Sequence, residues 1–393
     1  MKKVLLRAPL LTNSGYGIHS RQLFSWLYNK KDVELTVECV QWGRTPWILD
    51  TDQEDGIYGK IMSCSKPLDK GDYDISFQVQ LPDEWDTTLA KKNIGVTAVV
   101  ETDRCNPEWI EACNKMDEII VPSTFTKNVL KRSGLLMKRV SVIPEWYNKK
   151  IIDKSTMAKI QNDKRFSKIK KDFNILLIGT LTSNLDIDDR KNIKNTIKWL
   201  CQEFKNDDDV GIILKTNFGK GSIADKEMCR SYLNEVLKEF RVGQYPSFYF
   251  VHGNMKKEEI ASLVTHSKVK LYASATRGEG YGLPLIEAAV AGKPIVATNW
   301  SGHLEFLQRE NFGNVDYDLV EISESKVDGR IFQKGFRWAN PLENSFKNEV
   351  RKVHSDYETA KNKAKTMKKH IQFNFNSDVV KRKYDELFAR VVE

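Results

Sequence analysis

The chain has 393 residues, 40% of them hydrophobic and 10% aromatic: too long for one ordinary core and too apolar for a disordered chain. Its 62 Lys and Arg against 53 Asp and Glu leave a formal charge of +9. That charge favours anionic partners, and a Lys-rich solubilising surface would account for it equally. The six cysteines (39, 64, 105, 113, 201 and 229) include no C-x-x-C pair, which argues against a zinc or redox motif and fits reduced thiols of a cytoplasmic protein.

The basic and then apolar start, Met1 to Leu11, is interrupted by Arg7 and Pro9, and no small-residue cleavage site follows. It reads as a first strand rather than a signal peptide. No run approaches the ~20 apolar residues of a membrane-spanning helix. Strands are expected at Val4–Arg7, Leu35–Val40, Ile75–Val79, Val96–Val100, Glu118–Val121 and Val140–Ile143. Helical spacing lies between them, from the turn Thr12–Gly17 through Leu27, at Trp109–Cys113 and at Phe125–Lys131. Around Lys149–Lys171 the composition turns polar and cationic (Lys149, Lys150, Lys164, Arg165, Lys168, Lys170 and Lys171), which reads as a linker and a solvated helix, or else as a nucleic-acid-binding arm. A second series follows: strands at Asn174–Ile178, Val210–Lys215, Ser247–Val251, Val269–Ala273 and Pro294–Thr298. Helices are expected at Ile193–Phe204, Met228–Phe240, Lys256–Ser267 and Leu283–Ala291, and the tail from about Asn344 reads as two more. Alternating strands and helices imply α/β architecture with parallel, doubly wound sheets in two domains, 1–150 and 151–375, followed by a C-terminal helix over 376–393.

The densest motif runs Arg277-Gly278-Glu279-Gly280-Tyr281-Gly282-Leu283-Pro284, then Glu287 and Gly292-Lys293-Pro294. It follows a strand and opens a helix. Its glycines permit close backbone approach, and the first helical N–H groups point at one spot suited to phosphate or sugar oxygens. Glu279 and Glu287, eight residues apart, can accept hydrogen bonds from hydroxyls on different rings of one extended ligand. Upstream, Gly179-Thr180-Leu181 ends a strand, and Arg190 and Lys191 open a helix whose dipole already favours anions. For the Arg277–Pro294 segment the alternative is an ordinary helix N-terminus with charged decoration.

This pairing of glutamates resembles the E-x7-E signature of the retaining glycosyltransferases of family 4, and Thr298-Asn299-Trp300-Ser301-Gly302-His303 resembles that family's next loop, with a look of phage- and virus-encoded members. The resemblance implies the GT-B fold, two Rossmann-like domains facing a central cleft, with the last helix packing back on the first domain. It implies transfer from a UDP- or GDP-sugar co-substrate, with no cofactor required, and Glu279, Arg190, Lys191 and Glu101 at the catalytic centre. Donor contacts are implied for Gly17, Gly179, Thr180, Arg190, Lys191, Lys215, Asn254, Met255, Gly280, Tyr281, Gly282, Leu283 and Glu287. Acceptor contacts are implied for Gly15, Tyr16, Glu101, Thr102 and Asp103. The chain departs from the family where many members have an Arg after the first glycine; Thr180 stands there, and Lys215 is placed to compensate. Glu101 stands where relatives often have a His, so it is either a polar active-site group or an exposed strand-end carboxylate.

The acceptor is either a surface glycan such as lipopolysaccharide or a hydroxymethylated base in double-stranded DNA. A scaffold that binds a nucleotide sugar without turning it over is the reading from another class. Asp50-Thr51-Asp52, Asp72-Tyr73-Asp74 and Asp186-Ile187-Asp188-Asp189 match D-x-D, a short pattern expected by chance, and only the last sits beside the phosphate loop; the resemblance, in which protein cations neutralise the diphosphate, implies no required metal, and Gly219-Lys220-Gly221-Ser222 lacks the spacing of a P-loop.

Overall fold

The structure, a computed structural model, describes residues 1–68, 70–156, 166–180, 187–217, 221–241 and 243–392. Leu181, Asp186, Lys164, Arg165, Gly219 and Lys220, named above, lie outside the described residues. The chain divides into two compact units: Met1–Trp146 with Asp328–Gln333 and Ser377–Glu393, and Tyr147–Val327 with Lys334–Asn376.

The first unit holds β1 (Lys2–Ala8), α1 (Gly15–Leu27), β2 (Val33–Cys39), α2 (Gln53–Cys64), β3 (Tyr73–Val79), β4 (Ala90–Val96), α3 (Pro107–Lys115), β5 (Glu118–Val121), α4 (Thr124–Ser133) and β6 (Val140–Val142). The six strands form one parallel sheet in the order β2-β1-β3-β4-β5-β6. The C-terminal helix, Ser377–Val392, adds Val380, Tyr384, Leu387 and Phe388 to this unit's core. Two polar contacts, the first of them buried, fix its register. The Tyr384 hydroxyl meets His19 Nε2 at 3.0 Å, and Trp26 Nε1 donates to Asp385 at 2.8 Å. Buried Arg21 of α1 donates to the carbonyls of Leu10 and Thr12, which sets the turn that enters that helix.

The second unit holds β7 (Phe173–Ile178), α5 (Ile193–Glu203), β8 (Val210–Thr216), α6 (Ile223–Phe240), β9 (Ser247–His252), α7 (Lys257–Thr265), β10 (Val269–Ser274), α8 (Leu283–Val290), β11 (Ile295–Thr298), β12 (Gly313–Val315), a hairpin β13 (Tyr317–Glu321) and β14 (Arg337–Pro341), α9 (Glu343–Ser355) and α10 (Tyr357–Asn374). Its parallel sheet runs β12-β11-β10-β7-β8-β9. Alternate residues of β7 feed two cores: Leu176 joins one face, Ile175 and Leu177 the other. Both faces are covered, as buried parallel strands require. The strand order reverses between β7 and β10, and in open α/β sheets ligands bind in the crevice beyond the strand ends at such a point.

Three expectations are corrected. The strand expected at Val96–Val100 lies earlier, at Ala90–Val96; residues 97–100 form an irregular turn in which Val99 takes φ +46°. The tail holds three helices rather than two, because the chain breaks at Asp356, whose side chain caps α10, and again near Asn376. The 149–171 segment is not simply solvated: Ile151, Phe166 and Ile169 are buried in the second unit's core.

Candidate active site

The loops that leave β7 and β10 are knit together by their backbones. Arg277 N–H donates to the Arg190 carbonyl at 2.8 Å, and the Arg190 guanidinium donates to the Gly278 carbonyl at 2.6 Å. Asp189 builds the turn that presents the two cations. Its carboxylate accepts from the N–H groups of Lys191 and Ile193, and Asn192 turns left-handed at φ +52° before α5 begins. Gly179 lets β7 come close, since a Cβ there would lie 3.0 Å from Ile193 Cδ1. Thr180, next to it, is exposed.

Both cations converge on Glu279. Lys191 Nζ donates to its two carboxylate oxygens at 2.6 and 2.8 Å, and Arg190 lies 3.4 Å away. Burial alone would raise the Glu279 pKa; the charges of Lys191 and Arg190 outweigh it and bring the group down to about 2. A buried carboxylate is thus held ionised by two cations at the start of a helix.

The glycine loop is clamped from β11. Glu279 N–H donates to Ser301 Oγ at 2.9 Å, and Gly302 N–H donates to the Glu279 carbonyl at 2.8 Å. His303 Nε2 donates to the Thr298 carbonyl at 2.7 Å, which leaves Nδ1 facing Ser301 Oγ at 3.4 Å. Gly302 has no room for a side chain, because its Cβ would sit 2.0 Å from the Gly280 carbonyl oxygen. Gly282, at φ +102°, makes the final turn into α8 ahead of Leu283 and Pro284. The Tyr281 ring is buried against Phe306, and Gly280 is buried too.

Glu287 lies on α8, half-buried, and its carboxylate makes no hydrogen bond or ion pair with a described residue. Burial pushes its pKa up to about 7, with Lys257 opposing. At the end of β8, Lys215 is buried, and burial lowers its pKa to about 8. Its ammonium donates to Asn217 at 2.7 Å, and Asn217 donates to Asn254 at 2.6 Å, so Lys215 and Asn254 share one polar chain. Met255, beside Asn254, packs on the core around Tyr272 and Ile286.

In the first unit, Ser14 caps α1 by accepting from Gly17 N–H at 3.0 Å. Gly17 is required by space: a Cβ would lie 2.1 Å from the Thr12 carbonyl, whereas Gly15 faces open space. The Tyr16 hydroxyl is engaged, accepting from Ala98 N–H at 2.9 Å and meeting Thr97 Oγ1 at 3.0 Å, and its ring stacks on Trp42 at 3.9 Å. These contacts brace the turn in which Val99, a β-branched residue, is left-handed, a backbone state that costs on the order of 1–3 kcal/mol. Beyond the turn, Glu101 is half-buried while Thr102 and Asp103 are buried. Thr102 donates to the Arg104 carbonyl at 2.7 Å.

The structure therefore brings Arg190, Lys191 and Glu279 into contact and joins Lys215 to Asn254. It adds Asp189 and His303, which act through local contacts, and Ser301 and Asn217, which reach Glu279 and Asn254 across 22 and 37 residues. Among the described residues, Asp207, Asp209 and His354 bring ligand atoms within 4.8 Å of one another, but Asp207 already pairs with Arg351.

Residues 248–315, from β9 to β12, match the model of the family described as Glycosyl transferases group 1; this stretch includes Glu279, Glu287 and Ser301–His303 but not Arg190, Lys191 or Lys215. No curated protein matches the chain. Among solved structures, it is similar to Anabaena HepE in complex with UDP and glucose (11% identity, 99% of this chain and 100% of that one, TM-score 0.64). It is also similar to sucrose-phosphate synthase from Thermosynechococcus elongatus (15%, 100% and 99%, TM-score 0.65). The N-terminal domain of Candida albicans trehalose-6-phosphate phosphatase has the same fold (11%, 99% and 97%, TM-score 0.60). The chain thus has the two-domain GT-B fold, and its group 1 segment together with that fold supports a glycosyltransferase.

Proposed function

We propose that the chain is a retaining glycosyltransferase that takes a sugar from a UDP- or GDP-sugar and places it on an acceptor hydroxyl, with a saccharide as the acceptor. The observation that carries this reading is the convergence of Lys191 and Arg190 on buried Glu279 at the start of α8. Two cations presented beside helical N–H groups are an arrangement suited to a diphosphate. Solved relatives in this fold include HepE with UDP-glucose.

In this reading Arg190, Lys191 and Lys215 hold the diphosphate, together with Gly179, Thr180 and Gly17. The amides of Gly280, Tyr281, Gly282 and Leu283 add donors. Glu279 accepts from sugar hydroxyls, Glu287 from the ribose, and Asn254 and Met255 meet the base. Gly15, Tyr16, Glu101, Thr102 and Asp103 form the acceptor side. The acceptor oxygen bonds to the anomeric carbon as the bond from that carbon to the phosphate oxygen breaks. The acceptor proton passes to the departing phosphate, and Arg190 and Lys191 stabilise the charge that develops there. No metal and no covalent nucleophile is needed.

The test is a panel of nucleotide sugars offered with glycans and with hydroxymethylated duplex DNA, transfer being read by mass. A sugar increment on a glycan is expected, and Arg190→Ala should lower its rate by at least ~100-fold, the usual loss of one preorganised charge stabiliser. Transfer onto DNA alone would replace the acceptor assignment. No transfer and no donor hydrolysis with any pair would overturn the enzyme reading.

A further inference from the structure

The loop between α4 and β6 presents a combination that the donor site does not use. Leu135 and Met137 are 81% and 71% exposed, while Leu136 between them turns inward to the core. The loop is held in that pose rather than left free. Asn114 of α3 donates to the Leu135 carbonyl and accepts from Met137 N–H, both at 2.8 Å. Gly134 completes the anchorage, since a Cβ there would press on Ile110 at 3.3 Å. Two large apolar side chains are therefore fixed outward.

Cations flank them along the chain. No Asp or Glu occurs between Ser123 and Pro144, whereas Lys127, Lys131, Arg132, Lys138 and Arg139 all do. Arg139 is matched by Glu118 at 3.7 Å; Lys127, Lys131, Arg132 and Lys138 make no ion pair with a described residue. Lys127, Lys131, Lys138 and Arg139 line an open groove of roughly 470 Å³ beside the edge strand β6.

We propose that this face seats on an anionic lipid surface, with the cations at the headgroups and Leu135 and Met137 dipping into the interface. Cations alone would suit a nucleic acid equally, but a phosphodiester backbone gives two fixed, exposed apolar tips nothing to leave water for, and a bilayer interface does. The inference is independent of the donor site.

Sedimentation of the full chain with vesicles tests it, using phosphatidylcholine alone and phosphatidylcholine with a third phosphatidylglycerol. Binding only to the anionic vesicles is expected. Leu135→Ser with Met137→Ser should weaken it at least ~tenfold. Lys131→Gln with Arg132→Gln should weaken it by roughly 10–25-fold, about fivefold per cation near an anionic leaflet. All four side chains are exposed, so an unchanged melting temperature confirms folding. No binding to anionic vesicles overturns the proposal. So does binding lost with the cations but indifferent to Leu135 and Met137, which would mean phosphate recognition only, with duplex DNA as competitor. A dimer that the serine pair dissolves while vesicle binding persists would assign the face to a second copy instead.

Discussion

Lys191 Nζ lies 2.6 Å from Glu279 Oε1, and this contact joins the loop after β7 to the loop after β10 at the point where the strand order reverses. Glu279 is depressed to about 2 from an ordinary 4.5, so its contribution to stability is fully present above pH 4.5 and is lost as pH falls through 2. Glu279→Gln should therefore cost about 2–4 kcal/mol at pH 7, with the gap to the unsubstituted protein closing below pH 4.5. Denaturant titrations at pH 7 and pH 3 measure it. Equal stability at pH 7 would mean that the ion pair is idle.

Glu287 has the opposite sign. Its folded pKa, about 7, lies above the ordinary 4.5, so the folded state binds more protons between these values and stability falls as pH rises through that window. Glu287→Gln should melt higher than the unsubstituted chain at pH 8 and match it at pH 4. If Glu287 holds the ribose, the same substitution weakens donor binding despite the gain in stability. A variant less stable at pH 8 would show that Glu287 has a charged partner.

Gly302→Ala places a methyl group 2.0 Å from the Gly280 carbonyl oxygen, so the clamp between the two loops must open. A loss of about 1–3 kcal/mol is expected, as for other overpacked sites, together with weaker donor binding. Gly15→Ala, in open space, is the control and should leave both unchanged. Equal behaviour of the two variants would remove the clamp from the account.

Activity should be indifferent to a metal chelator. Arg190 and Lys191 supply positive charge, and the acids beside them are committed: Asp189 caps the turn, and Asp188 accepts from the Ser323 and Ser325 hydroxyls. Loss of transfer in chelator, restored by magnesium or manganese, would show that an acidic segment holds a required metal ion.

Much of the fold is legible because buried parallel strands read as short β-branched runs. Glu118–Val121 and Val210–Thr216 stand out for that reason. β4 does not, since Lys91, Lys92, Asn93 and Gly95 dilute its pattern, while Val99 and Val100 imitate a strand in a strained turn. α2 is hidden by an opening in which Glu54, Asp55 and Gly56 all take positive φ. In the site, strand-end glycines followed by charged helix starts point to Arg190, Lys191 and Glu279. Ser301 and His303 are legible only through the resemblance of their loop, since the Ser301 contact with Glu279 spans 22 residues and leaves no periodic trace, and Asp189, a local cap, leaves none either.

The central claim is that Arg190 and Lys191 bind the diphosphate of a nucleotide sugar. Calorimetric titration of UDP and of GDP into the folded chain tests it most directly. One of the two should bind with one site per chain, and Arg190→Ala and Lys191→Ala should each weaken that binding at least ~tenfold, the worth of one charge-assisted hydrogen bond. Binding of neither nucleotide, or binding unchanged in both variants, would contradict it.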